Sequence, residues 1–479
     1  MALEIYDTLS REKKEFKPIK TNLVGFYQCG PTVYWTQHIG NMRAIVMADV
    51  INRSLNYLGY NVKFVRNYTD VGHLTSDGDE GEDKMEKGAK RENLTPDQIA
   101  EKYIKIYEND IQKLNTFPPT YKPKATKHIQ EIIDMIQILL DKGFAYQTKS
   151  AIYFDVSKAK NYTRLSGQKI EEQISGAGTG DVSDSEKKHP QDFSLWFFKI
   201  GKHKNILQFW QSPWKKNCPS NGLGFPGWHI ECSAMSKKYL GDTIDIHMGG
   251  IEHIPVHHTN EIAQSESANG VKFVNYWIHN GHLLVNNQKM SKSEGTSYSL
   301  SEIKNPLALR YFFLQTHYRS QQNFTWEALR SAENGLNHLY AQVSKLNSQS
   351  GKNSFWNFFV KDKIDKEFKN KFLEKIEDDF NTPQALAVVS DLLKSGLSDE
   401  KKIATILDFD KILGLKLNDK SKTKKTPADF PKEIQNLIEE RKTARDNKNY
   451  QKSDEIRGKL LSLGYQIKDT NEGQKISKI

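Results

Sequence analysis

Between Leu23 and Asp49 the sequence changes its apolar period in a way that few architectures accommodate. A short apolar run, Leu23 to Tyr27, is interrupted by Gly30 and Pro31 and gives way to apolar residues at helical spacing from Ile39 onward. Strand, turn and helix in that order predict a crossover unit. The free backbone N–H groups of its helix start point toward the end of the strand and favour phosphate or another anion. His38 and Asn41 fall in that first turn, three apart on one face, and Gly40 between them lets a nucleotide approach the backbone. Cys29 ends the strand beside them. An ordinary α/β crossover with a surface histidine and a buried cysteine fits this stretch equally well.

The pattern continues as α/β. Gly59 is placed to close a helix over Ile39 to Leu58, and Asn61 to Asn67 reads as a strand of the parallel kind. Its end puts Thr69 and Asp70 where a doubly wound sheet presents residues to a ligand. The acidic run Ser76 to Asp83 matches no calcium-loop spacing and reads as a solvated loop. Helical period from Thr95 to Leu140 is broken by Pro118, Pro119 and Pro123, and Gly143 to Tyr146 with Ala151 to Val156 read as a hairpin in an inserted segment. The Gly/Ser/Asp/Lys-rich stretch Ser166 to Pro190 reads as a mobile loop, and Trp196, Trp210 and Trp214 as small-domain core. Sheet character returns at Thr243 to His247, followed by a helix carrying His257 to Gln264 and a strand from Phe273 to His279. A parallel sheet interrupted by an insertion and then resumed accounts for this order. Beyond Leu300 every long segment reads as helical, with breaks near Asn347 to Ser354, at Asn381-Thr-Pro and from Lys420 to Pro431, and a small last domain from about Thr426.

Composition bounds the alternatives. A chain of 479 residues exceeds one core and at about 150 residues per domain suggests roughly three. Mean hydropathy is −0.68, no apolar run approaches the about 18–20 residues of a membrane helix, and the opening residues lack the features of a signal peptide. A cytoplasmic location without membrane association is therefore expected. Three cysteines, Cys29, Cys218 and Cys232, argue against a disulfide framework and leave metal or buried-thiol roles. The net charge of +10 suits a polyanionic partner, as does a general lysine bias.

Two constellations carry chemistry. His257 and Glu261 lie four apart on one helix face and can converge on one ion. Cys29 and Cys232 are expected at strand or turn ends that the topology brings to the same carboxyl edge. Two sulfurs, an imidazole and a carboxylate suit Zn²⁺, although no Cys-x-x-Cys pair fixes the geometry and both cysteines also read as plain buried thiols. His258 is expected to face elsewhere. The second constellation is Lys289-Met-Ser-Lys-Ser293, with Glu294 and Gly295, in a loop after a strand. Lys289 and Lys292, flanked by hydroxyls such as Ser291, supply positive charge where negative charge builds on leaving pyrophosphate during adenylate formation.

With these motifs in order, the sequence resembles the class I aminoacyl-tRNA synthetases and, among them, the cysteinyl-tRNA synthetases. The resemblance runs over nearly the whole chain. It is carried by Tyr27-Gln-Cys-Gly-Pro-Thr-Val-Tyr, His38-Ile-Gly-Asn, Asn67-Tyr-Thr-Asp, Gly227-Trp-His-Ile-Glu-Cys-Ser-Ala-Met, Asp245-Ile-His, His257-His-Thr-Asn-Glu-Ile-Ala-Gln, Lys289-Met-Ser-Lys-Ser and Asp446 to Arg457. It implies a Rossmann-type doubly wound parallel sheet split by a connective insertion, then an α-helical bundle and a small C-terminal domain. The expected boundaries are catalytic halves at 1–118 and 225–287 around an insertion at 119–224, a stem-contact region with the signature loop at 288–335, a helical bundle at 336–420 and an anticodon-binding domain at 426–479. It also implies one zinc ion per chain on Cys29, Cys232, His257 and Glu261. One departure stands out: the first signature normally ends in His, and here that position is Asn41, which can donate to a phosphate oxygen but carries no charge.

The expected reaction is activation of L-cysteine with Mg·ATP and transfer to the 3′ end of tRNA(Cys) by a monomer. His38, Gly40, Asn41, Lys289, Ser291 and Lys292 would bind ATP, with His38, Asn41, Lys289 and Lys292 in catalytic roles. Cys29, Thr69, Trp228 and His229 would surround the cysteine. Arg441, Arg445 and Arg457 would contact the anticodon, although a solvated helical face explains those charges equally well. Two rivals remain: a ligase joining the adenylate to a small amine, which the long C-terminal third disfavours, and a catalytically silent RNA binder, which the intact lysines and ligand candidates disfavour.

Overall fold

A computed structural model describes residues 2–71, 74, 83–168, 184–290, 296–349, 363–418, 430–470 and 473–478. The chain divides into two compact units, Met1–Leu417 and Asn418–Ile479. The expected loop Ser166 to Pro190 and the acidic run Ser76 to Asp83 lie mostly outside the described residues, as do the breaks near 350 and 420.

The larger unit opens with an antiparallel pair, β1 (Glu4–Asp7) and β2 (Glu12–Glu15). The crossover then forms as the period change predicts, with β3 (Leu23–Gln28), α1 (Ile39–Tyr57) and β4 (Asn61–Arg66). Leu58 caps the helix and Gly59 turns the chain at φ 94°, a left-handed conformation that glycine adopts without steric cost. Helices α2 (Lys84–Glu92), α3 (Pro96–Lys113) and α4 (Ile129–Asp141) follow, then the strands β5 (Ala145–Gln147), β6 (Ala151–Phe154), β7 (Phe193–Phe198), β8 (Trp210–Gln211) and β9 (Leu223–Pro226). These five make an antiparallel sheet in the order β5-β6-β7-β9-β8. Its core gathers Trp196 and Trp214, whose rings meet edge to face at 5.7 Å, with Ile132, Ile136 and Phe154.

After α5 (Trp228–Leu240) the parallel sheet resumes with β10 (Ile244–Gly250), α6 (His257–Asn269) and β11 (Val274–Asn280). The sheet order is β11-β10-β3-β4, parallel throughout. From β3 the chain winds outward to β4, and from β10 it winds the other way to β11. The two central strands therefore border a switch point, where an open α/β sheet leaves a crevice at its carboxyl edge.

Beyond this lie β12 (Leu283–Val285), β13 (Gln288–Lys289), α7 (Pro306–Leu314), β14 (Gln322–Phe324) and the helices α8 (Trp326–Gln349), α9 (Lys366–Glu377), α10 (Thr382–Lys394) and α11 (Asp399–Leu413). The helical reading of everything past Leu300 thus misses one short strand, β14, which runs parallel to β12. α1 joins this region through a buried polar hub. The Asp49 carboxylate receives Arg53 Nε at 2.7 Å, lies 2.7 Å from Arg310 Nη2 and accepts the Phe117 amide at 2.7 Å. Arg53 and Arg310 also donate to the Lys411 and Leu413 carbonyls at the end of α11.

The smaller unit holds α12 (Lys432–Asp446), α13 (Tyr450–Ser462) and an antiparallel hairpin, β15 (Tyr465–Thr470) with β16 (Gly473–Lys478). The hairpin is the second departure from the all-helical reading. Tyr465 and Ile467 are buried while Gln466 and Lys468 are exposed, the alternation of a one-sided strand. Arg441, expected to reach RNA, is instead fully buried. Its two Nη atoms pair with the two Asp469 oxygens at 2.9 Å each, and Arg445 Nη1 reaches the same carboxylate at 2.8 Å. A guanidinium held in two parallel bonds beneath the surface serves the fold, and of the three arginines Arg457 is the one without such a bond to Asp469.

Removing one member of a buried ion pair strands the other. Asp49→Asn should therefore lower the unfolding free energy of the larger unit by about 3–5 kcal/mol, read from its urea midpoint by tryptophan fluorescence. A loss below about 1 kcal/mol would show that the hub contributes no more than a surface pair.

Candidate active site and metal centre

The start of α1 faces the switch point. His38 caps it with extended backbone (φ −83°, ψ 165°), and its Nδ1 accepts from the Asn41 amide at 3.3 Å. The first turn carries no acidic residue, so the positive end of the helix dipole remains available to an anion. A Cβ on Gly40 would stand 2.4 Å from the Met290 methyl and 3.0 Å from the His38 ring, so a larger residue there would displace the Met290 side chain and crowd His38. A cleft of about 340 Å³ runs from His38 and Asn41 past Thr69 to Trp228, Cys232 and His257. Lys289 is exposed on β13, and Ser291 and Lys292 lie outside the described residues.

At the far end of the cleft the four expected ligands meet. Cys29 Sγ lies 4.0 Å from Cys232 Sγ and 3.7 Å from Glu261 Oε1, and His257 Nε2 lies 2.9 Å from the same oxygen. All four donor atoms fall within 4.8 Å of one another. A tetrahedral zinc with bonds of about 2.3 Å to sulfur and about 2.0–2.1 Å to nitrogen and oxygen needs donor edges of roughly 3.3–3.8 Å, close to these spacings. His257 Nε2 is buried and makes no aligned hydrogen bond despite its nearness to Glu261. A buried nitrogen without an aligned partner beside a carboxylate and two thiols is a donor set that a bound cation would satisfy. Cys232 reaches this place from within α5, not from the strand or turn end the sequence suggested.

The surroundings fix these groups. His229 does not line the cleft: its Nδ1 stands 2.9 Å from His257 Nδ1 and holds that ring from behind. Trp228 stacks on His257 with ring centroids 4.2 Å apart and does line the cleft. His247 Nε2 sits 2.8 Å from Glu261 Oε2 and holds the carboxylate from behind. His258, expected to face elsewhere, lies 3.4 Å from Cys29 Sγ, so Cys29, His247, His258 and Glu261 form a second donor group sharing two residues with the first. The helical pattern turns adjacent His257 and His258 to different faces, and α6 sits so that both still reach the thiol cluster. Asp70 does not face the cleft; Thr126 donates to it from backbone and side chain at 2.9 and 2.7 Å. Lys84 and Tyr107, from α2 and α3, also line the cleft. Sequence reasoning missed both, since each sits in an amphipathic helix with no motif around it.

Burial and proximity set the charges. Burial pushes the Cys29 thiol well above the ordinary thiol range, and the hydrogen bond it donates holds Cys232 down to about 6. Burial acts to lower His257, but Glu261 and Cys232 outweigh it and raise the imidazole to about 10. Burial likewise opposes ionisation of Glu261, and His247 and His257 overcome it, keeping the carboxyl well below its usual range. The metal-free pocket at neutral pH thus holds protons on Cys29 and His257.

Known proteins similar to this chain point to one family. Residues 15–334 match the family described as tRNA synthetases class I (C) catalytic domain, 428–476 the cysteinyl-tRNA ligase anticodon binding domain and 371–396 the DALR domain. The chain is 42% identical over 497 residues to the cysteine–tRNA ligase of Treponema denticola, covering 98% of both chains. It is 42% identical over 491 residues to a cysteine–tRNA ligase of Thermus thermophilus, covering 99% of this chain and 98% of the relative. The fold is similar to Mycobacterium tuberculosis methionyl-tRNA synthetase in complex with methionyl-adenylate, with a TM-score of 0.58 and 14% identity over 83% of this chain and 93% of that one.

Because both protons must leave before the donors can bind a cation, zinc affinity should rise about 100-fold per pH unit between pH 6.5 and 8. Competition with a chromophoric chelator across that interval measures the slope. A pH-independent affinity, after correcting for the chelator, would contradict the protonation assigned to Cys29 and His257.

Proposed function

The chain belongs to the cysteinyl-tRNA synthetases of the class I tRNA synthetase family, and on that premise we propose that it is a cysteine–tRNA ligase that selects its amino acid through a zinc ion. The observation that carries the reading is the placement of two thiols, an imidazole and a carboxylate at one end of a cleft whose other end is an anion-binding helix start.

Serine differs from cysteine by one atom, and pocket volume cannot supply a large ratio between them. Cys29, Cys232, His257 and Glu261 would hold a zinc ion, which when bound would supply a soft position that favours a thiolate over a hydroxyl. Trp228 and Thr69 wall the small side chain, and His229, behind His257, keeps the ligand ring in place. With its side chain anchored there, the cysteine carboxylate attacks the α-phosphate of Mg·ATP in line; pyrophosphate leaves and cysteinyl-adenylate forms. His38 and Asn41 hold the phosphates at the helix start, and Lys289 and Lys292 neutralise the departing pyrophosphate, so the protein contributes positioning and charge. Asn41 donates to a phosphate oxygen without adding charge, which leaves more of the neutralisation to the lysines. The terminal ribose hydroxyl of tRNA(Cys) then attacks the aminoacyl carbonyl and AMP leaves. The smaller unit, matching an anticodon-binding family, would bind the tRNA away from its 3′ end.

The test is transfer of labelled cysteine to unfractionated tRNA with ATP and Mg²⁺, with serine as control and with and without prolonged chelation. Charging by cysteine alone, lost on chelation, is the expected result. Cysteine-dependent pyrophosphate exchange without tRNA charging would instead favour a ligase for a small amine. Cys232→Ser should lose bound zinc and cysteine activation together, whereas Lys292→Ala should depress adenylate formation at least about 100-fold with zinc content unchanged. Metal retained with normal activation in Cys232→Ser would contradict the zinc-based selection.

A further inference from the structure

Arg43 is fully buried five residues beyond His38, and no acidic side chain pairs with it among the described residues. Its four Nη hydrogens are met by backbone carbonyls. Nη1 donates to Gly281 O at 2.6 Å and His282 O at 3.3 Å, and Nη2 to His317 O at 3.1 Å and Ser320 O at 2.8 Å. An unpaired buried cation is costly, and a planar fork reaching four carbonyls on two segments is a task lysine or an apolar residue cannot perform. Burial draws the guanidinium down to about 10.

The two segments are the lead-ins to β12 and β14. β12 pairs antiparallel with β13, which carries Lys289, and parallel with β14. The lead-ins are pressed together at Gly281, whose amide donates to Tyr318 O at 2.8 Å and whose absent Cβ would stand 2.7 Å from the Ser320 carbonyl. On the far side of the signature loop, Ile39 N donates to Tyr298 O at 2.8 Å. Chain on both sides of the loop is therefore fastened to the opening of α1, upstream through the Arg43 side chain and downstream through the backbone.

We infer that Arg43 is a positioning residue for adenylate formation, setting the distance between the helix start that holds the phosphates and the sheet that presents Lys289 to the leaving pyrophosphate. This rests on the ligase reading above. The hydrogen bonds of Arg43 go to the two lead-in segments, which carry none of the four thiol-pocket residues, so its effect falls on turnover and leaves cysteine binding alone.

Arg53 provides the comparison. It is another buried arginine on α1, bonded to Asp49 and to the Lys411 and Asn115 carbonyls and to neither lead-in segment. The experiment is cysteine-dependent ATP–pyrophosphate exchange by the full zinc-loaded chain, normalised to active sites titrated by the first-turnover burst. Arg43→Lys should lower kcat about 30-fold or more while KM for cysteine stays within about threefold, as expected when reacting groups are misplaced by a fraction of an ångström. Arg53→Lys should lose thermal stability with kcat per active site within about threefold. Where Arg43→Lys fails to fold, Gly281→Ala opens the same junction from the other side and should show the same kcat loss. Arg43→Lys or Gly281→Ala with unchanged turnover per active site would overturn the inference. An inactive wild-type chain would overturn the ligase reading, an outcome distinct from the first.

Discussion

Everything in the cleft depends on one helix beginning where a parallel sheet reverses its winding. Because β3 and β10 are the central neighbours and their crossovers lead to opposite edges, the chain between Cys29 and His38 has open space above it. That short connection joins the thiol end of the site to the phosphate end. The distance between a side chain anchored at Cys29 and a phosphate resting on α1 is therefore set by backbone geometry and not by flexible side chains. This is the kind of fixed placement on which a displacement with little covalent participation by the protein relies.

The same helix shows how burial is used differently along its length. Near its far end, Asp49 meets Arg53 and Arg310, so opposite charges leave water together. At Arg43 a cation is held by carbonyls alone, and beside the sheet edge two thiols, a histidine and a carboxylate are gathered with one nitrogen left without an aligned partner. Such unsatisfied groups destabilise a fold unless something binds them. The charged hub lies on the side of the helical region and the thiol cluster on the side of the cleft, so one helix carries a structural and a substrate-facing polar group at different points along its length.

The sequence carried the crossover, the resumed sheet and the hairpin of the insertion, because period changes and turn residues are local signals. Cys29, Cys232, His257 and Glu261 could be grouped through topology and resemblance before their distances were known. Other features were not legible for physical reasons. Cys232 sits inside a helix because Gly227 opens α5 earlier than the surrounding polarity suggests. His229 and His258 take their roles from what packs behind them, which spacing does not encode. Tyr465 to Ile467 alternates too briefly to stand out in a helix-rich tail, and Arg441 looks like any surface arginine until Asp469 is folded over it. Arg43, two residues past Asn41, has four partners more than two hundred residues away in the chain, and no local pattern announces them.

The central claim is that the substrate's sulfur is recognised at the metal. X-ray absorption at the zinc edge of the loaded protein addresses it directly, in the absence of ATP and with saturating cysteine or serine. The account predicts two sulfur neighbours at about 2.3 Å in the free protein, a third on adding cysteine and no change with serine. A zinc shell unaltered by cysteine would contradict it and would move discrimination to Trp228, Thr69 and the walls of the cleft.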